Sequence, residues 1–302
     1  MRDRKAAIRV PASTSNLGAA FDSVGLALQL YLRLQVRRLD SGPSRLEFTG
    51  QDAHLVPTDA SNLIRRVMTD VALERGSDLP PFSISVTNEI PITKGLGSSA
   101  TATLAGVAAA DFLCDLGLSK QDLLEISSRQ EGHPDNVAPA LYGGLVASIG
   151  GEKILCSHST FPEFWTVVAV TPEFELETSR ARAVLPGRVP FSDAVFNVQR
   201  AAFLMAQIVQ GRKEGVREAM TDRLHQPYRS ALLPGFDEIL KLSESPGLIG
   251  VALSGAGSTV VAFADGNAAE IGECIRGVFA RHGLASQVRL LKADNHGLVF
   301  EG

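Results

Sequence analysis

"PITKGLGSSATA", residues 91 to 102, places two glycines and two serines directly before an alanine-rich run, "SATATLAGVAAADFL", that reads as a helix over residues 99 to 113. Three readings fit such a turn. Gly95, Gly97 and Ala100 match the G-x-G-x-x-G/A spacing of a dinucleotide site. A glycine-serine loop opening a helix also holds nucleotide phosphates, and Ser and Gly are ordinary cap and turn residues. The surroundings decide among them. A dinucleotide turn follows its strand directly and needs an acid about 20 residues on, at the end of the next strand. Here the strand "FSISV" (82–86) ends well before Gly95, and Asp115 closes a helix. A Walker loop needs its lysine after the glycines, whereas Lys94 precedes them. What both patterns share survives. Backbone N–H groups from Gly95 to Ser99, with the positive end of the following helix, make an anion site. Ser98 and Ser99 can reach a phosphate-bound Mg²⁺, which takes few protein ligands. Glu131 or Asp135, in the polar loop "EGHPDNVAPALYGG" (131–144), can supply the carboxylate.

Outward from this loop, the chain alternates strand and helix patterns irregularly. Leu30, Leu32, Leu34 and Val36 alternate with Tyr31, Arg33, Gln35 and Arg37, the mark of a strand with one buried face. Helical spacing recurs from Leu63 to Ala72, over 119–130 with Ser119 as cap, over 192–209 with Ser192 as cap, over 235–244 and over 267–283. "WTVVAVTP" (165–172), the two strands flanking "SGAG" (254–257), "SQVRLLKA" (286–293) and "GLVFEG" (297–302) read as strands. This is an α+β pattern, not a doubly wound one, with a boundary expected near residue 155. The helix over 192–209 is strongly apolar, and an apolar face on the second domain is readable equally as core or as a homodimer seam.

Composition narrows the partners. The 302 residues are 45% hydrophobic and 21% charged with a net charge of −4, an ordinary globular balance that advertises no attraction to nucleic acid or to a membrane surface. No secretory apolar segment and no run of about 18 apolar residues is present, so a cytoplasmic protein is expected. Cys114, Cys156 and Cys274 are isolated and read as core thiols, and no histidine grouping suggests a transition-metal site.

Three stretches, "VPASTSNLGAAFDSVGLAL" (10–28), "PITKGLGSSATA" and "LSGAGSTVVAF" (253–263), together resemble the GHMP kinase superfamily. "EGHPDNVAPALYGG" and "LHQPYRSALLPGFDEI" (224–239) resemble its homoserine-phosphorylating branch. The resemblance implies a two-domain α+β GHMP kinase fold, with a ribosomal-S5-like, ATP-binding N-terminal domain over 1–155 and a ferredoxin-like C-terminal domain over 156–302. It implies ATP with Mg²⁺ and transfer to the side-chain hydroxyl of L-homoserine. It makes Pro91, Ile92, Thr93, Lys94, Gly95, Leu96, Gly97, Ser98, Ser99, Ala100 and Thr101 the phosphate loop, with Ser98 or Ser99 and Glu131 on the Mg²⁺ side. Gly255 and Gly257 line the phosphate side, and Asn62 and Leu63 are candidates for the adenine. Asn16, Asp22, His133, Asp135, Asn136, Arg182 and Arg229 match positions that contact or line the acceptor.

The chemistry suits that acceptor. A hydroxyl-bearing zwitterion needs a carboxylate for its ammonium, Asp22 or Asp135, and guanidinium for its carboxylate, Arg182 with Arg229. The bland alternative for each arginine is a surface ion pair. Asn136 stands where other branches hold a basic aspartate, and Asn takes no proton at neutral pH. Transfer without a strong base is therefore expected, the proton passing to the γ-phosphate or solvent, with Asp135 as base if it lies nearer the hydroxyl. Ala19, Ala20 and Ser258 depart from the usual motifs and bear on loop geometry. A kinase of another small alcohol, such as a mevalonate-type substrate, and a catalytically silent binder are the competing readings.

Overall fold

The computed structural model describes residues 4–242 and 245–301. β1 (Lys5–Ser15) and β2 (Val24–Arg38) form a long antiparallel pair. β3 (Arg45–Gly50), α1 (Leu63–Glu74) and β4 (Phe82–Asn88) follow, β4 lying beside β2 with β3 outside it. Then come α2 (Ser98–Cys114), α3 (Lys120–Glu131), α4 (Val137–Tyr142), β5 (Leu145–Ile149) and β6 (Leu155–Ser159). β7 (Thr166–Pro172) opens a second sheet. The helices α5 (Thr178–Ala183), α6 (Phe191–Val209), α7 (Val216–Ala219), α8 (Gln226–Ser230) and α9 (Phe236–Leu240) separate it from β8 (Leu248–Leu253) and β9 (Val260–Ala264). α10 (Ala268–Arg281) and β10 (Ser286–Leu291) complete that sheet, and β11 (Val299–Glu301) returns to pair with β1. The strand orders are β11-β1-β2-β4-β3, with β5 on β2 and β6 on β5, and β10-β7-β9-β8.

Side-chain alternation explains the layering. On β2, Leu32, Leu34 and Val36 are buried while Gln35 and Arg37 face solvent. On β7, Val167 and Ala169 join the large core shared with the first sheet, and Val168 and Val170 join a second core under α9 and α10. α2 is apolar all round and buried nearly all round, packing on α1, α3 and β1.

Several elements differ from the sequence expectation. β2 begins at Val24, where Val24 to Leu28 are buried on both faces and show no alternation. The segment expected as a polar loop over 131–144 contains α4, whose Val137 to Leu141 are all buried. Asn62 caps α1, its side chain accepting from the Arg65 N–H. α6 starts at Phe191, with Pro190 rather than Ser192 at the cap position. α6 is also only partly core: Leu204 and Ile208 are buried, but Phe191 is 85% and Val198 69% exposed. Cys274 is exposed, and Cys114 and Cys156 are half-buried instead of core. Of the helix expected over 235–244, Ser243 and Glu244 lie outside the described residues, as does Gly302 of the last strand. Among the described residues no helix is long and apolar enough to cross a membrane.

Candidate active site

A cavity of about 600 Å³ opens where the end of β1, the start of α2, the α3–α4 corner and the β8–β9 turn meet. Ile92, Thr93, Lys94, Gly95, Gly97, Ser98, Ser99 and Ala100 line it. Gly95 and Gly97 are left-handed, with φ of 79° and 69°. A Cβ at Gly97 would stand 2.1 Å from Ser13 Oγ, and one at Gly95 2.3 Å from the Ser254 carbonyl oxygen, so no side chain fits at either position. Pro91, Leu96 and Thr101 do not line the cavity: they are buried behind the loop, the Leu96 carbonyl accepting from the Ser13 N–H at 3.2 Å and Thr101 Oγ1 donating to the Pro11 carbonyl at 3.2 Å.

The loops are joined by the end of β1, where Ser13, Thr14 and Ser15 are fully buried and Asn16 nearly so. Ser13 Oγ donates to Asn136 Oδ1 at 3.0 Å, and Asn136 Nδ2 donates to Ser15 Oγ at 3.0 Å, which fixes the orientation of that amide. Ser254 Oγ, 2.8 Å from Thr14 Oγ1, lies 2.6 Å from the Gly95 carbonyl oxygen and ties the β8–β9 turn to the glycine loop. Asn16 Nδ2 donates to the Gly255 carbonyl and its Oδ1 accepts from the Asp22 N–H, both at 2.9 Å. Its amide is thus spent inside the protein although Asn16 borders the cavity. Gly255 and Gly257 border it too. The sequence points to Asn16 and, within "SGAG", to Ser254, but not to Ser13, Thr14 and Ser15. Their signal was a run of hydroxyls, "STS", within an otherwise apolar strand, since buried hydroxyls require partners.

On the α2–α3 side, Ser99 Oγ donates to Glu131 Oε1 at 2.9 Å and Thr103 Oγ1 donates to the same oxygen at 2.7 Å. Ser98 borders the cavity beside them. Among the described residues no cluster of three or more acidic, His or Cys side chains could cage a metal. One carboxylate with hydroxyls is instead the hard-oxygen set that suits Mg²⁺ carried largely by phosphates and water. Away from the loop the cavity is apolar, with Leu32, Phe48, Val56, Pro57, Leu63 and Ile64. Asn62 borders this part, its Oδ1 accepting from the Arg65 N–H at 3.2 Å and its Nδ2 donating to the Pro57 carbonyl at 2.7 Å.

At the opposite end Arg182 makes two hydrogen bonds to Asp22, at 2.9 and 3.0 Å. The surface-pair alternative fails for Arg229, which is 2% exposed. Arg229 donates through Nε to the Ala181 carbonyl at 3.1 Å and through Nη1 to the Gly255 carbonyl at 3.0 Å. Burial, and then the neighbouring Arg182, bring its pKa down to about 10, which leaves it charged at neutral pH. The fully buried His225, missed in sequence, holds it in place. Burial lowers the pKa of this imidazole, and its Nε2 faces the Gly18 carbonyl at 2.8 Å. The proton therefore belongs on Nε2, and Nδ1 accepts from Arg229 Nη1 at 3.2 Å. Phe21 stacks on His225 at 5.0 Å between centroids and faces both guanidiniums.

His133 Nδ1 is hydrogen-bonded to Asp135, which is 2% exposed. That bond lifts the His133 pKa against the opposing pull of burial. For Asp135, burial pushes the carboxyl up, but the bonds from His133 and the Ser15 hydroxyl outweigh it and hold it below the usual range. A carboxylate so depressed is a weak base.

The chain matches the family models for the GHMP kinases N terminal domain over residues 62–144 and the GHMP kinases C terminal domain over 204–281. It is 43% identical to a homoserine kinase of Solibacter usitatus, covering 93% of this chain and 92% of that one. Against a homoserine kinase of Halothermothrix orenii it is 42% identical, over 98% of this chain and 96% of the relative. Its structure superposes on the crystal structure of homoserine kinase from Cytophaga hutchinsonii with a TM-score of 0.87 at 27% identity, covering 100% of this chain and 98% of that one.

Proposed function

The chain belongs to the homoserine kinase family, a branch of the GHMP kinases, and from that premise we propose how its cleft divides the work of the reaction. The reaction is the ATP-dependent phosphorylation of the side-chain hydroxyl of L-homoserine, which yields O-phospho-L-homoserine on the route to threonine. A single observation carries the division of labour. One cavity joins a glycine-built phosphate cradle to a pocket holding the complement of a zwitterion.

Gly95 to Ser99 receive the phosphates on backbone N–H groups at the start of α2. Ser99 and Glu131, with Ser98 adjacent, would hold Mg²⁺, which when bound neutralises phosphate charge. The apolar part of the cavity takes the adenine, bordered by Asn62 and Leu63. Asp22 and Arg182 pair with each other, and homoserine offers each a counterpart: its ammonium for Asp22, its carboxylate for Arg182 and the buried Arg229. The homoserine hydroxyl oxygen forms a bond to the γ-phosphorus as the bond to the bridging oxygen of ADP breaks, the electron pair leaving with ADP. The hydroxyl proton goes to a γ-phosphate oxygen or to solvent. Neither neighbour is a good acceptor for it, because Asn136 is a locked amide and Asp135 is depressed by His133.

We assign the protein to the cytoplasm, since the reaction consumes ATP and a free amino acid. The exposed stripe of α6 is assigned to a homodimer, which a monomer in sedimentation would refute. The decisive measurement is ADP release from Mg-ATP with L-homoserine, mevalonate and a sugar alcohol side by side. L-homoserine alone should support turnover. Turnover with mevalonate alone would overturn the acceptor, and none with any would overturn the enzyme.

A further inference from the structure

Both hydroxyl partners of Glu131 reach one and the same oxygen. Ser99 and Thr103 lie one turn apart on α2, and each donates to Oε1, at 2.9 and 2.7 Å. Their surroundings differ. Ser99 is exposed and borders the cavity, whereas Thr103 is fully buried and does not border it. Among the described residues Oε2 of Glu131 makes no hydrogen bond to protein. A helical threonine ordinarily donates back to the carbonyl four residues earlier, yet this one donates across to the end of α3.

We propose that Thr103 is a positioning residue for the cation site: it holds Oε1 of Glu131 against α2, so that Oε2 is presented to a phosphate-bound Mg²⁺ even when the Ser99 hydroxyl turns from Glu131 toward that cation. The inference rests on reading Glu131 as the metal-side carboxylate. Ser99 is free to change partner because it is the exposed donor, and Thr103 is not, because no water replaces its bond. Buried partners that orient a ligating carboxylate matter to metal affinity even though they never touch the ion.

The competing account is that Thr103 only fastens α2 to α3. ADP binding, measured by calorimetry with EDTA and with saturating Mg²⁺, separates the two. In the native chain Mg²⁺ should tighten ADP binding. Thr103→Val should lose about tenfold of that gain while ADP affinity in EDTA stays within about twofold, and Thr103→Ser should restore it. Thr103→Ala serves equally if the valine variant does not fold. A full Mg²⁺ gain in Thr103→Val, or an equal loss with and without Mg²⁺, would overturn the proposal. A native chain whose ADP affinity ignores Mg²⁺ would overturn the metal assignment of Glu131 itself, and the role of Thr103 with it.

Discussion

We assign the phosphate end of the cleft to main chain of one short stretch, Gly95 to Ser99 at the start of α2, and the acceptor end to the side chains of Asp22, Asp135, Arg182 and Arg229, drawn from separate parts of the chain. The first end is held by conformation, two left-handed glycines and a helix start. The second is held by charge, with each ionic group anchored to a different element and the most buried of them fixed by carbonyl oxygens and a neutral imidazole. A phosphate chain carries diffuse charge that any array of N–H groups can meet, so backbone suffices. A small zwitterion must be told from its analogues, and only placed side chains do that.

Substitutions can break or sharpen this contrast. The largest effect is expected from Arg229→Ala, about 2–5 kcal/mol in kcat/KM for homoserine, because a desolvated charge partner is lost. Arg182, 37% exposed, should cost less, on the order of 1–2 kcal/mol. Steady-state kinetics with both substrates varied should show the ATP KM nearly unmoved, and a change within about 0.5 kcal/mol for Arg229→Ala would remove it from the acceptor site. Gly95→Ala should act in the opposite sense. Its left-handed φ and the nearby Ser254 carbonyl predict about 1–3 kcal/mol of strain, read as weaker ADP binding with homoserine affinity kept. Equal losses for both ligands would mean the two ends are not separable.

The smallest effect is a pH dependence. The Asp135 bond raises the His133 pKa in the folded protein, so the charged imidazole adds stability that is complete below its unfolded value of about 6.5. That stability is lost as pH rises through the folded value. Thermal melting of the native chain should therefore decline across this alkaline side more than that of His133→Gln. Parallel pH profiles for the two proteins would show that the pair does not carry charge.

How legible each end was in the sequence follows from the same contrast. The cradle is local, so "KGLGSS" announced it, and the position of Lys94 with the absent ribose acid removed its competitors. The residues proposed for the acceptor were named only through resemblance. Nothing about Arg182 in "SRARAV" distinguishes it from Arg180, and its partner Asp22 is 160 residues away. Thr103 and His225 were invisible because their meaning lies in burial and in one partner each. Hydrophobic period found β7 and α10 but passed over α4, whose six residues are shorter than two helical turns and begin in polar sequence. It left the burial of α6 open, since apolar spacing reports a face and not what covers it.

The ties that close the cleft are remote along the chain: Asn16 and Gly255 are 239 residues apart, and Thr14 and Ser254 are 240 apart. Contacts of such separation form only after the entropy of a very long loop has been overcome, while α1, α2 and α3 gain their contacts locally. In refolding from denaturant the helical signal should return before the two substrates find their sites. Activity should be a late arrival, completed where β1 ends, at Ser13 to Ser15, and at Asn16 just beyond it.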